Sequence, residues 1–123
     1  MDDYKTNNRL RAYKFSLEII LFCKSLPNKR IYWSIGDQLL RSGTSIAANV
    51  IEAKSSSSRK DFINFYSIAL KSANETLYWL CVLRDTKLDD VDLLKVAQLI
   101  SELKEILKML GRSLITLKRR KNL

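Results

Sequence analysis

The polar residues in the middle of the chain recur every three or four positions, the spacing that places side chains on one face of a helix. They are Gln38, Arg41, Ser45, Asn49 and Glu52. Paired carboxylates on such a face could perform general acid–base chemistry, and Glu52 with Glu75 is the one candidate pair. The same side chains could instead form a hydrogen-bonded, partly buried network that joins this helix to Ser72 and Glu75 of the next one. We favour the network over the catalytic pair.

The chain contains no histidine among its 123 residues. This absence removes His-based general acid–base catalysis, Ser-His and Cys-His nucleophile systems, and most zinc sites. A di-metal site of the ferritin type needs Glu-x-x-His motifs, and the helical ribonucleases of the HEPN class also need a histidine. We therefore expect a protein that is not an enzyme and that holds neither a metal nor a cofactor.

Basic residues dominate the charge, with 22 Lys and Arg against 13 Asp and Glu and a net charge of +9. An excess of this size favours a polyanionic partner, because clustered cations bind phosphates by releasing counterions. If the helices alternate in direction, nearly all of the excess collects at one end of the molecule. The predicted nucleic-acid-binding residues there are Lys5, Arg9, Arg11, Lys14, Arg59, Lys60, Arg119, Arg120 and Lys121. The same end also holds Lys54, Arg112 and Lys118.

The helices that position these side chains follow from the periodicity of the apolar residues. They are predicted at about residues 8–26, 31–54, 59–85 and 90–118. With 3 Gly and 1 Pro, the chain lacks the turn residues of an all-β fold, and short connections make consecutive helices antiparallel neighbours. We predict one all-α domain over residues 1–123, an up-down-up-down antiparallel four-helix bundle with a short basic C-terminal tail.

The first helix carries more apolar surface than one side of a bundle can bury. One stripe consists of Leu10, Tyr13, Leu17, Ile20 and Leu21, and a second stripe, on roughly the opposite side, of Ala12, Phe15, Ile19, Phe22 and Leu26. Because a large apolar patch in water usually marks an interface, we predict self-association through Phe15, Ile19 and Phe22. The alternative is that both stripes merge under an irregular bundle.

The remaining sequence features concern redox state and location. Cys23 and Cys81 each lie in an apolar run, so reduced, packed thiols are expected, with a disulfide as the alternative. The N-terminus lacks the pattern of a secretory signal, and the longest apolar run is far too short for a membrane span. A cytoplasmic protein is expected. An anionic membrane would suit the charge, but no basic amphipathic segment is left free to lie on lipid.

The segment from Gln38 to Glu75 carries a further pattern. The positions that define it are Gln38, Arg41, Ser45, Ile46, Asn49, Val50, Glu52, Ala69, Ser72 and Glu75. In this pattern the chain resembles the bacterial four-helix-bundle family first noticed in intervening sequences of 23S ribosomal RNA genes. That family typically shows a Q-x-x-R-x-x-x-S-I-x-x-N-I-x-E core, a polar loop, and then A-x-x-S-x-x-E. Two departures are alanine at position 53, where glycine is common, and at positions 47 and 48, where proline often occurs.

The resemblance implies ring-like homo-oligomers, commonly pentamers. It also implies a relation to the accessory variability determinants of diversity-generating retroelements, which associate with nucleic acid and a reverse transcriptase. We therefore predict a non-enzymatic, oligomeric accessory protein whose partners are RNA or DNA and, by the resemblance, a reverse transcriptase. The alternative is a protein–protein scaffold whose charge serves solubility. Salt-dependent binding of a generic RNA or DNA distinguishes the two.

Overall fold

The computed structural model describes residues 8–120, which form four α-helices joined by short connections. They are α1 (Asn8–Ser25), α2 (Arg30–Lys54), α3 (Arg59–Thr86) and α4 (Leu93–Arg120). This part of the chain contains no strand, so the all-α prediction is confirmed, and every helix begins and ends within three residues of its predicted bounds. None of the described helices is long and apolar enough to cross a membrane.

Within the single chain, each helix packs antiparallel to its two neighbours. Each packs against the next one along the chain, and α4 returns to pack against α1 in the least extensive of the four contacts. The direction is clear from α2 and α3, because Ser42 lies against Thr76 while Ser45, further along α2, lies against Ser72, earlier in α3. The architecture is that of an up-down-up-down four-helix bundle.

The fourth helix begins three residues later than predicted, at Leu93. The chain leaves α3 through Lys87 and then passes Asp90, both in the left-handed region with φ of 49° and 66°. Consecutive helical residues do not adopt this conformation, so the helix cannot extend back through Asp90. The carboxylate of Asp92 accepts a hydrogen bond from the backbone N–H of Lys95 at 3.1 Å, which caps the first turn.

One apolar stripe of α1 is buried in the core, and it is the stripe predicted to form an interface. Ala12, Phe15, Ile19 and Phe22 are each no more than 3% exposed. The predicted interface of Phe15, Ile19 and Phe22 is therefore wrong. The reason lies on α2, where a Cβ on Gly43 would stand 2.9 Å from Cγ2 of Ile19. Glycine at this position lets α2 pack directly onto the stripe.

The opposite stripe of α1 lies in solvent and continues onto α2. Its large exposed side chains are Tyr13, Leu17, Ile20 and Leu21 of α1 and Trp33, Leu40 and Ile51 of α2. Trp33 and Leu40 line a cleft together with Cys23 and Lys24 of α1. Lys24 lies one turn after Ile20 on the same face of α1, so the exposed side chains of α2 lie beside the end of this stripe. We call these seven residues the α1–α2 apolar face. The excess apolar surface inferred from the sequence exists, but on the other side of the helix.

Two ion pairs close the seam between α1 and α4. The guanidinium of Arg11 donates two hydrogen bonds to the carboxylate of Glu102, at 2.7 Å from Nε and 2.8 Å from Nη2. Two turns along α1, Glu18 pairs with Lys95, which lies two turns before Glu102 on α4. The bond to Glu102 raises the pKa of Arg11 above its ordinary value, so this cation is charged and already partnered.

Candidate nucleic-acid interface

One end of the bundle brings together the start of α1, the connection between α2 and α3, and the end of α4. The side-chain amide of Asn8 donates to Ser113 Oγ of α4 at 3.2 Å and to Tyr66 Oη of α3 at 3.4 Å. Beyond this junction, Phe62 of α3 and Leu117 of α4 line a cleft with the residues of the connection. We call the surface formed by residues 8–9, 52–66 and 112–119 the basic end.

The serine-rich connection within the basic end is held by local hydrogen bonds. Serine hydroxyls compete with the helix for backbone groups, and Ser56 Oγ donates to the carbonyl of Ala53 at 2.6 Å as α2 ends. Ser58 then caps α3, because its Oγ accepts from the backbone N–H of Asp61 at 3.1 Å. The Asp61 carboxylate accepts from Ser57 Oγ at 3.0 Å. These hydrogen bonds fix the conformation of the connection, which is flanked by cationic residues.

Exposed cationic side chains outnumber carboxylates at the basic end. They are Lys54, Arg59, Lys60, Arg112, Lys118 and Arg119, and the carboxylates are Glu52 and Asp61. They come from three different helices, so the fold concentrates charge that is spread along the sequence. Such a cluster attracts polyanions through its summed field.

The predicted binding residues divide between this surface and other places. Arg59, Lys60 and Arg119 are exposed on the basic end, and Arg9 is half-buried in the first turn of α1. Lys5, Lys121 and the side chain of Arg120 lie outside the described residues.

Arg11 and Lys14 do not belong to the basic end. Arg11 crosses the seam to Glu102, and Lys14 lines a cleft in the middle of the bundle with Glu18 and Lys95. Their position along α1 is near the basic end, but their side chains lie among the charges of α4. Of these two cations, Arg11 is neutralised within the fold by Glu102.

Two shallow clefts meet at the basic end. One, of about 310 Å³, lies between α3 and α4 and is lined by Phe62, Tyr66, Arg112, Ser113, Thr116 and Leu117. The other, of about 370 Å³, lies between the connection and α4 and includes Lys54, Arg59, Phe62 and Leu117. Phe62 and Leu117 line both clefts and so form their common wall. We call them the α3–α4 cleft and the connection cleft.

The polar face of α2 forms a ladder of hydroxyl contacts with α3. Ser45 Oγ lies 2.9 Å from Ser72 Oγ, and Ser42 Oγ lies 3.0 Å from Thr76 Oγ1. Asn49 donates from Nδ2 to both Oγ and the carbonyl of Ser45, at 3.0 and 2.8 Å. The network inferred from the sequence therefore includes Ser45, Asn49 and Ser72. Sequence reasoning missed its two most buried members, Ser42 and Thr76, although both lie at helical spacing from the residues it chose.

The ionisable members of the same pattern lie outside this ladder. Glu52 and Glu75, the candidate acid–base pair, are both exposed, as is Arg41. Arg41 approaches Asp37, one turn earlier on α2, at 3.7 Å. Gln38 contributes only its backbone, whose carbonyl accepts from Ser42 Oγ at 2.8 Å.

Replacing Asn49 by alanine is expected to lower the free energy of unfolding by about 1 kcal/mol, because two half-buried hydrogen bonds to Ser45 are lost. Urea denaturation measures the change. Glu52→Ala, an exposed position on the same helix, is the matched control and should change stability by less than about 0.5 kcal/mol. Unchanged stability of Asn49→Ala together with lost nucleic-acid binding would contradict the structural role.

The two cysteines are free thiols rather than a disulfide. Cys23 is half-buried with Sγ 3.5 Å from the carbonyl of Gly36, and burial raises the pKa of its thiol to about 11. The thiol of Cys23 is therefore protonated and unreactive near neutral pH. Within residues 8–120, no group of three or more Cys, Asp or Glu side chains is placed to hold a metal ion.

Comparison with known proteins identifies a matching family and a similar solved structure. Residues 7–112 match the profile of a family described as 23S rRNA-intervening sequence protein. The chain is also similar to the crystal structure of a protein with unknown function from the S23 ribosomal protein family of Bacteroides thetaiotaomicron. The identity is 37%, the match covers 88% of this chain and 98% of that one, and the TM-score is 0.80. No curated protein matches the chain significantly.

Proposed function

Since the chain belongs to the 23S rRNA-intervening sequence protein family, we propose that it is a non-enzymatic accessory protein that binds RNA or DNA through its basic end. The observation that carries this proposal is the convergence of exposed cations from three helices at one end of the bundle. Binding there depends on phosphate neutralisation, so it is strong at low salt and does not read base sequence.

The distribution of charge favours a localised site over general attraction to a basic protein. At the opposite end of the bundle, Arg84 is held by Asp85 at 2.7 Å and 3.1 Å, and three further carboxylates lie in the connection between α3 and α4, at positions 89, 90 and 92. In the middle, cations pair with carboxylates across the α1–α4 seam. The basic end is where cations remain in excess.

Self-association forms the second part of the proposal. The α1–α2 apolar face exposes seven large side chains, among them Leu21 at 60% and Trp33 at 59%, and contiguous apolar surface of this kind is typically covered by a partner. A second copy of the chain as that partner agrees with the resemblance, which implies a pentameric ring and a reverse transcriptase as a further partner. A ring would repeat the basic end around its axis and multiply phosphate contacts.

The proposal is tested by removing three cations from the basic end. Lys54→Gln, Arg59→Gln and Arg112→Gln together should weaken binding of a labelled generic RNA roughly 50- to 100-fold at about 0.15 M salt. They should also reduce the slope of log affinity against log salt by roughly 2 to 3, since each lost contact contributes about 0.7 on single strands and 0.9 on duplexes. Fluorescence anisotropy over a salt series measures both quantities.

The matched control removes the same charge elsewhere. Lys29→Gln, Arg30→Gln and Lys87→Gln alter exposed residues at the opposite end and should leave affinity and slope nearly unchanged. Equal losses in the two triple variants would contradict a localised site. No salt-dependent binding by the unaltered protein would instead favour a protein–protein scaffold.

A further inference from the structure

The basic end contains a half-buried aromatic residue, Phe62, close to its cationic side chains. Phe62 packs face to face on Tyr66, with ring centroids 4.8 Å apart and planes 18° apart. Tyr66 is only 7% exposed, and its hydroxyl accepts from Asn8 of α1. The stack therefore anchors Phe62 in a fixed orientation. From the sequence, Phe62 and Tyr66 could stack on bases, but a position in the core is favoured for both. In the structure Phe62 is instead the common wall of two open clefts.

Each of the two clefts that Phe62 lines also contains a cationic side chain. Arg112 lines the α3–α4 cleft, whereas Arg59 and Lys54 line the connection cleft. A nucleotide whose base lies against Phe62 would thus find a guanidinium available for the phosphate on either side of it. Arginine beside an aromatic stacking surface is the combination used by proteins that track single strands.

The size and polarity of the clefts fit one base and not a duplex. Volumes of about 310 and 370 Å³ lie at the lower limit of small-ligand sites, and the bases of a duplex are stacked inside the helix, where Phe62 cannot reach their faces. The polar lining of the α3–α4 cleft beyond Arg112 consists of the hydroxyls of Tyr66, Ser113 and Thr116. Hydroxyls both donate and accept, so they accommodate any base.

We propose that the basic end selects single-stranded over double-stranded nucleic acid by stacking an unpaired base on Phe62, with Arg59 and Arg112 holding the adjacent phosphates. This inference rests on the proposed function and adds the form of nucleic acid that the site takes. Because every base has a face that can stack, the selectivity concerns strandedness and not sequence.

The test compares one RNA as a single strand with the same RNA annealed to its complement. Phe62→Leu should weaken single-strand binding roughly 5- to 100-fold while leaving duplex binding and both salt slopes unchanged. Phe62→Tyr, which retains the ring, should restore the affinity. Tyr78→Leu removes a 60% exposed aromatic from the same helix and should change neither. Circular dichroism confirms that each variant is folded.

A second measurement does not depend on losing the aromatic ring. In the Phe62→Trp variant, single-stranded RNA should quench tryptophan fluorescence beyond the change seen in the unaltered protein, and duplex should not. Equal loss for both nucleic acids in Phe62→Leu, or no extra quenching in Phe62→Trp, would overturn the stacking inference while the salt-dependent binding of the basic end stands. Absence of binding to either form by the unaltered protein would overturn the proposed function itself.

Discussion

Replacing Phe15 by alanine is expected to lower the free energy of unfolding by about 3–5 kcal/mol, the usual cost of emptying a fully buried aromatic site. Phe15 is 2% exposed and lies in the central cluster with Ile19 and Phe22. Neighbouring helices cannot collapse fully into the cavity, so lost burial and lost packing add together. Denaturation at one fixed protein concentration measures the change, because the proposed self-association would make stability depend on concentration.

The control for this variant is Leu94→Ala on α4. Leu94 is 70% exposed, so its truncation should change stability by no more than about 0.5 kcal/mol. A near-neutral Phe15→Ala would contradict the orientation of α1, since it would mean that the stripe with Phe15 faces solvent after all.

Replacing Leu21 by glutamate is expected to convert the proposed oligomer into folded monomers. Leu21 is the most exposed member of the α1–α2 apolar face on α1, so a charge there is tolerated by the monomer. In an interface the same carboxylate would be buried without a partner, at a cost of about 3–5 kcal/mol for each copy. Light scattering after size-exclusion chromatography measures the mass, and circular dichroism measures the retained helix.

Leu94→Glu provides the matched charge on an exposed leucine outside the face and should leave the mass unchanged. A monomeric unaltered protein, or a Leu21→Glu variant that stays assembled, would show that the α1–α2 apolar face does not mediate self-association.

The helices and their order could be predicted from the sequence, but the rotation of α1 could not. Both stripes of α1 have the same period, so periodicity alone does not say which one faces the core. The deciding contacts lie on other helices: Gly43 receives Ile19, and Glu102 receives Arg11. The sequence does contain a signal for this rotation. Arg11 and Glu18 have the same spacing as Lys95 and Glu102, so two antiparallel helices can pair each cation with a carboxylate.

The basic end was predictable as a region and less so residue by residue. Alternating helices bring the start of α1, the α2–α3 connection and the end of α4 together whatever the orientation of their side chains, which is why Arg59 and Arg119 lie where expected. Counting charge cannot reveal that Arg11 reaches a carboxylate on α4. Nor can an apolar pattern separate Phe62, which lines two clefts, from Tyr66, which is buried beneath it.

The two ion pairs across the α1–α4 seam have a consequence for the folding landscape. Because α1 is apolar on two sides, a compact state in which it is turned to bury the other stripe would compete with the native one. That turn would carry both Arg11 and Glu18 away from Glu102 and Lys95. Each partly exposed pair contributes only about 0–1 kcal/mol, yet both act in the same direction. The seam would thus widen the energy gap between the native bundle and the bundle with α1 rotated. The two ion pairs would then contribute more to the choice of fold than to the free energy of unfolding.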